Sequence, residues 1–471
     1  MTRLRIALLC GIGARVIFIV AALIFRGDEA FLVGQSHTYV GLGEGLAHGG
    51  MFVDWWGRAE VFRTPGYPFL LMPGIWMSAP VTYAIALNLV LTIAIIVLTY
   101  AIARTQFDEK LAGLCAIVVA LEPTLLTWSL KVMPETAFAL VLLIGCWLSV
   151  AQRIYLAAIA FALAAYIHPI GWPLVSILCI AAFFAFERRR PAIATLVALA
   201  VLAPWHVRNY AHTGFAGFSR GSDRAAHLAF DAPIAAQREG IRYREMRREM
   251  LLAHVSDVVH PQRQRPHITD ILRTLFDPGA AEYLRILNLY DRGARNIPLR
   301  ELPHTYPLVF IATLILGIAL LPLIALPCIA FARGAWRDHT FVLLAIIATY
   351  LVIASGSTSG SARLRAPIVP MLVVMSAYAR SVLIHIRAKP NFVKRALRDS
   401  ASVAKQIASA EKVQITVRVR TVIAIRSIHF GAQRNREHPG GTKCGVLVAG
   451  HQAIVIAIDP HAQLRPDPVI V

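Results

Sequence analysis

The chain has 471 residues, of which 57% are hydrophobic and only 16% charged. Its mean hydropathy is +0.60, and the apolar residues lie in long runs, which excludes an ordinary soluble globular domain. The net charge is +20, but most arginines flank apolar runs or lie in the C-terminal tail. That is the pattern of membrane orientation, so no nucleic-acid partner is expected.

Crossing a bilayer takes roughly 20 apolar residues. The expected spans, in chain order, are Leu4–Phe25, Val81–Ala103, Leu111–Thr127, Glu135–Ala151 and Ile154–Pro169, then Ile170–Phe186, Pro191–Trp205, Thr305–Ala332, His339–Ser355 and Ala366–His385. The chain therefore reads as an all-α polytopic membrane protein with about ten transmembrane helices. The first segment lacks a small-residue cleavage site and reads as a retained span. The stretch 154–186 is divided at His168-Pro169, because proline disfavours helical geometry in the residue before it. Orientation supports the division. With a cytoplasmic N-terminus beside Arg3 and Arg5, the inside loops carry Arg104 and Lys110, Arg153, the run Arg188–Arg190, Arg333 and Arg337. A single helix over 154–186 would put that arginine run outside.

The outside face then holds two large loops, 26–80 and 206–304, and two short ones around Trp128–Pro134 and Gly356–Arg365. The second large loop contains REGIRYREMRREMLLAH, an arginine-rich helical pattern expected on the membrane surface or over the first loop. Residues 1–385 form the membrane-embedded domain. Residues 386–471 form a basic cytoplasmic tail with an alternating, strand-like run, VQITVRVRTVIAIRSI. Five cysteines fall in apolar runs and Cys444 in the tail, so no disulfide framework is expected. No metal-ligand spacing appears and no cofactor is called for.

Positive charges on the outside break the orientation rule. They are Arg63 before PGYP, Lys131 in WSLKVMPE, Arg208 in PWHVRNY, and Arg363 with Arg365 in SARLRAPIVP. Snorkelling to head groups accounts for any one alone. Together, on proline-bounded turns, they suit a phosphate or pyrophosphate on a lipid carrier. Acids share that face: Asp28, Glu29, Glu44, Asp54 and Glu60 in the first loop, and Glu135 opening a span. Helix capping is the alternative reading of Glu135. Glu122, before Pro123, lies within or near another span. His168 reads first as a helix-breaking interfacial residue, with proton transfer as the alternative. Trp55, Trp56 and Trp205 fit an interfacial belt, with sugar stacking as the alternative.

Five segments in order, SHTYVGLGEGLAHGG, FRTPGYPFLL, LEPTLLTWSLKVMPETAF, APWHVRNYAHTGF and SARLRAPIVPML, carry a resemblance over roughly residues 1–385. The chain resembles the polytopic glycosyltransferases of GT-C type, specifically the family 39-like bacterial relatives of dolichyl-phosphate-mannose protein mannosyltransferases. The resemblance implies a plasma-membrane enzyme, both termini cytoplasmic. It would move a sugar from a polyprenyl-phosphate donor to the hydroxyl of a lipid, glycan or protein acceptor, at the extracytoplasmic face, with inversion. It also implies an aspartate base four residues ahead of Tyr39, where this chain has Gln35. An amide does not accept a proton at neutral pH, and losing a general base costs about 10²–10⁴-fold in rate. Glu135 matches the family's later acidic residue, and His168-Pro169 stands where relatives often have Arg-Pro. The candidate set is therefore Asp54, Glu44 and Glu135 as base, and Arg63, Arg208, Arg363 and Arg365 for the donor phosphate. Gln35, Tyr39, Tyr67, Lys131 and His168 complete the expected pocket. A flippase or transporter of lipid-linked saccharide, and a non-catalytic binding protein on the same fold, are the competing functions. Charges gathered at one face, with no internal repeat, favour the enzyme over the transporter.

Overall fold

The computed structural model describes residues 2–33, 35–54, 57–185, 189–220, 268–286, 302–355, 362–379, 444–449 and 452–457. The chain divides into two compact units, Met1–Ala396 and Leu397–Val471.

The first unit is built of helices. They are α1 (Thr2–Arg26), α2 (Ser36–Gly49), α3 (Gly66–Trp76), α4 (Pro80–Gln106), α5 (Glu109–Leu121), α6 (Pro123–Trp128) and α7 (Glu135–Val150). There follow α8 (Ile154–Ile167), α9 (Gly171–Ala185), α10 (Arg189–Thr213), α11 (Ile268–Phe276), α12 (Ala280–Ile286), α13 (Pro307–Ala332) and α14 (His339–Ser355). A one-turn helix at Ala362–Arg365 and a 3-10 turn at Ala366–Ile368 lead into a last helix, α15, over residues 369–379.

Four helical stretches, Thr2–Phe31, Pro80–Gln106, Arg189–Thr213 and Pro307–Ala332, are long and apolar enough to cross a bilayer, and four shorter apolar helices accompany them. Their exposed faces are apolar. Leu9, Ile17 and Ile24 on α1 are 72%, 69% and 73% exposed, while Arg15 on the same helix is buried. Arg15 donates to the carbonyls of Gly11 and Ala120 and to Ser129 Oγ. Apolar side chains outside and hydrogen-bonded polar ones inside is the arrangement a lipid solvent selects.

Two expected spans differ from the structure. The stretch 111–127 is not one helix: α5 ends at Leu121, and Glu122 caps α6 by accepting from the Leu125 N–H at 2.7 Å, with Pro123 at the first helical position. The stretch 191–205 continues as helix to Thr213 through Pro204, which puts Arg208 on α10 rather than in a loop. The stretch 366–385 is described as far as Ala379. The break between α8 and α9 falls where expected, with His168 extended (φ −140°, ψ 123°) before Pro169.

The core packs α1 on α4 and α5, α4 on α5 and α7, and α7 on α8, which also touches α3, α9 and α10. The α7–α8 contact depends on a missing side chain: a Cβ at Gly145 would lie 2.5 Å from the Phe161 ring, the small-residue logic of helix pairs in lipid. The stretch 26–80 folds into α2 and α3, which pack on each other, and the stretch 206–304 contributes α11 and α12. REGIRYREMRREMLLAH, Trp55, Trp56 and the alternating run 413–428 lie outside the described residues. The second unit contains an antiparallel hairpin, β1 (Cys444–Ala449) and β2 (Gln452–Ala457), with Ala449 opposite Gln452.

Candidate functional site

The site forms where the start of α2, the start of α7 and the turn before α15 meet. Glu135 opens α7, immediately after the Pro134 turn, and is 1% exposed. Its Oε1 accepts from Arg363 Nε. Its Oε2 is buried with no hydrogen-bond partner among the described residues, a costly state for a carboxylate oxygen unless something else comes to it. Arg363 Nη1 also donates to Gln35 Oε1 at 3.0 Å. The guanidinium lies 5.8 Å from the Trp128 ring. One arginine therefore joins the residue preceding α2 to the first residue of α7, although Gln35 and Arg363 stand 328 positions apart in the chain.

Beside Glu135 runs a small cleft lined by Phe138, His168, Ile170, Leu351, Leu364 and Pro367. Phe138 stacks on the His168 ring at 5.3 Å between centroids. His168 Nδ1 accepts from the Ile170 N–H at 3.3 Å, which leaves the ring proton of the neutral form on Nε2. The cleft is apolar except for one carboxylate and one imidazole.

A second cation sits beside Tyr39. Arg63 stands 5.7 Å from the Tyr39 ring and 3.7 Å from Glu60, whose carboxylate also accepts from the N–H groups of Phe62 and Arg63. Tyr39 and Tyr67 meet edge to face at 5.3 Å. Burial raises the Tyr39 hydroxyl pKa above its ordinary value, against the opposing pull of Arg63 and Arg363. Burial raises Tyr67 further, with Glu135 adding to the effect. Both phenols thus stay protonated donors at neutral pH. PGYP places them: a Cβ on Gly66 would lie 2.6 Å from the Tyr166 carbonyl oxygen at the end of α8, so the glycine permits α3 to start against the backbone next to His168.

The other candidates are placed differently. Asp54 closes a turn with Arg58, accepting from its N–H at 3.0 Å and its Nη2 at 2.9 Å. Glu44 is exposed on α2. Arg208 donates to the Glu60 and Phe52 carbonyls, both at 2.6 Å, and lies 4.7 Å from the Trp205 ring. It clamps the segment between α2 and α3 to α10. Arg365 is 1% exposed and faces away from Glu135, toward Thr124 and the carbonyls of Thr274 and Leu275. Lys131 is fully buried and donates to the Ala30 carbonyl at 2.6 Å. Among the described residues no three of His, Cys, Asp and Glu gather to hold a metal ion. Trp128 and Phe138 were not singled out by the sequence. Trp128 stands in the quoted motif WSLKVMPE, and a basic residue finding an aromatic at the membrane boundary is the signal that could have found it.

Lys131 carries a pH prediction. Burial pushes its pKa down to about 8, the Glu282 charge opposing and those of Arg285 and Arg26 adding to the drop. A lysine whose folded pKa lies below the unfolded one destabilises the fold below that value. The penalty is relieved as pH rises from about 8 toward about 10.4, because the unfolded chain then binds more protons. Melting in detergent is expected to rise across that interval, and Lys131→Met to be more stable at neutral pH with a flatter profile. Parallel profiles for the two proteins would contradict the assignment.

Helices with lipid-facing apolar surfaces and a buried polar cluster at one end of α7 define an all-α polytopic membrane protein. No family profile matches the chain, and no curated protein matches it by sequence. Among solved structures it is similar to the apo oligosaccharyltransferase of Archaeoglobus fulgidus, at 16% identity and a TM-score of 0.47, over 83% of this chain and 52% of that one. It is also similar to the AglB oligosaccharyltransferase of the same organism in complex with an inhibitory peptide and a dolichol-phosphate, at 16% identity and a TM-score of 0.45, over 85% and 54%. The chain spans about half the length of these structures.

Proposed function

We propose that the chain is an inverting membrane glycosyltransferase that takes a sugar from a polyprenyl-phosphate donor and passes it to an acceptor hydroxyl at the extracytoplasmic face. The observation that carries this reading is the Glu135 carboxylate, one oxygen engaged by Arg363 and the other buried and unpartnered beside a cleft. In this reading Glu135 is the general base. It takes the acceptor hydroxyl proton while that oxygen bonds the anomeric carbon from the face opposite the phosphate. The carbon–oxygen bond to the phosphate breaks, and its electron pair leaves with the phosphate. Arg363 and Arg63, whose charges both act on Tyr39, neutralise that charge. Gln35 orients Arg363 and takes no proton. Arg208 and Arg365 hold the loops rather than the donor, and Asp54 and Glu44 play no part in the proton transfer. The membrane part, residues 1–385, carries the activity in the plasma membrane with both termini cytoplasmic, as the basic inside loops support.

Gln35 favours one second reading, a protein that binds lipid-linked sugar without transferring it. Incubating membranes with labelled polyprenyl-phosphate sugars separates the two: transfer to an acceptor supports the enzyme, and saturable binding without cleavage supports the binding protein. Movement of intact lipid-linked sugar across vesicles would point to a transporter. Gln35→Asp places a second carboxylate on Arg363, as the resemblance implies for active relatives, and is expected to raise transfer about tenfold or more. No gain at normal expression would remove position 35 from the reacting centre.

A further inference from the structure

Arg363 and Arg365 lie on the same one-turn helix, Ala362–Arg365. Two residues apart on a helix, their side chains leave about 200° apart. Arg363 reaches Glu135 and Gln35, while Arg365 goes the other way and is 1% exposed. Its Nη1 donates to the carbonyls of Thr274 at 2.8 Å and Leu275 at 3.1 Å, and its Nη2 donates to Thr124 Oγ1 at 2.5 Å.

Those two carbonyls need an outside donor. They belong to the last turn of α11, where the helix runs out of its own N–H groups. The group that would pair with the Thr274 carbonyl belongs to Pro278, which has no N–H. The next, on Gly279, donates instead to Asp277 Oδ1 at 2.9 Å. Arg365 supplies both missing donors, and its charge suits a helix C-terminus. The same turn is tied twice more, by Ser355 Oγ donating to Thr274 Oγ1 at 2.8 Å and by the Ala362 N–H facing Asp277 Oδ2 at 3.5 Å. Thr124, the third acceptor, sits on α6, the helix that ends in Trp128 against Arg363.

We propose that Arg365 is a positioning residue: by locking the 362–365 turn to α6 and to the end of α11, it sets the Arg363 guanidinium between Glu135 and Gln35. The functional arm of this inference rests on the glycosyltransferase reading. α11 comes from the second outer loop, so that loop and the reacting centre share one brace. Releasing it leaves the chemistry-bearing groups present and misplaced.

The test has two arms. In transfer assays, Arg365→Gln lowers kcat about tenfold to hundredfold while the donor KM changes little, since misplacement by about 1 Å costs that much. Thr124→Val, which removes one of the three contacts, gives a smaller loss of the same kind, and Arg365→Lys restores part of it. Unchanged kcat in both Arg365→Gln and Thr124→Val, or a loss expressed in KM alone, overturns the proposal. The second arm needs no activity. Amide hydrogen exchange in detergent is expected to speed up over both 268–276 and 362–365 in Arg365→Gln, and to a lesser degree in Thr124→Val if the glutamine variant does not fold. Arg363→Gln leaves 268–276 protected. Exchange unchanged at either segment in the Arg365 variant overturns the brace, whatever the protein's activity. A parent chain without transfer activity would sink the glycosyltransferase reading and leave the exchange result intact.

Discussion

Glu135→Gln is expected to lower sugar transfer by about 10²–10⁴-fold, the range for losing a general base. The variant keeps an oxygen that can accept from Arg363, so the contact joining α7 to the 362–365 turn survives. It removes the group that can take a proton. The fall should therefore appear in kcat, with the donor KM near the parent value. The matching control is Asp54→Asn. Asp54 is held in its turn by Arg58 through both side-chain oxygens, and its amide variant should transfer sugar at a rate close to the parent. If Glu135→Gln kept most of its activity while Asp54→Asn lost it, the base would lie in the first outer loop and the assignment would be wrong.

The largest expected loss of stability comes from Gly66→Ala. An added Cβ would lie 2.6 Å from the Tyr166 carbonyl oxygen, 2.7 Å from its carbon and 3.0 Å from the Ile167 nitrogen. All three are backbone atoms, so no rotamer change relieves the overlap. α3 has to move off the end of α8, at a cost of about 1–3 kcal/mol for overpacking. Tyr67 is the next residue, and the edge-to-face contact with Tyr39 moves with it. Transfer should fall along with melting temperature. Gly13→Ala on α1 is the control: nothing lies within 4 Å of its added Cβ, and alanine is the better helix former. A Gly66 variant as stable as the Gly13 variant would show that the PGYP turn has room it does not have here.

Much of the scaffold was legible because apolar runs report directly on lipid contact. The break at His168-Pro169 was legible for a local reason, the steric effect of proline on its predecessor. The break at Glu122-Pro123 obeys the same rule, yet hydropathy alone carried one span across it. α2 was invisible because Gly41, Gly43 and Gly45 argue against a helix. The fold tolerates them since a Cβ at Gly43 would lie 2.7 Å from Ile75 and 3.2 Å from the Pro68 carbonyl, so packing against α3 overrides propensity.

The candidate site was legible as a set of residue types, and no further. Arg63, Arg208, Arg363 and Arg365 look alike in sequence. For Arg208, Arg363 and Arg365, which of them turns toward a cleft and which toward backbone carbonyls is decided by partners 90 to 328 residues away. Arg208 meets two loop carbonyls, Arg365 a helix end closed by Pro278, and only the folded chain separates them from Arg363.

The proposed function requires a lipid-linked phosphate to be received where Arg363, Gln35 and Glu135 converge. It is tested most directly by photolabelling membranes with a polyprenyl-phosphate sugar that carries a photoreactive group near the phosphate, followed by peptide mapping. Label on the segments around residues 35–39, 63–67 and 362–367, displaced by unlabelled donor and lost in Arg363→Gln, is the predicted result. Label spread over the exposed faces of α1 and α13, and indifferent to Arg363, would contradict it.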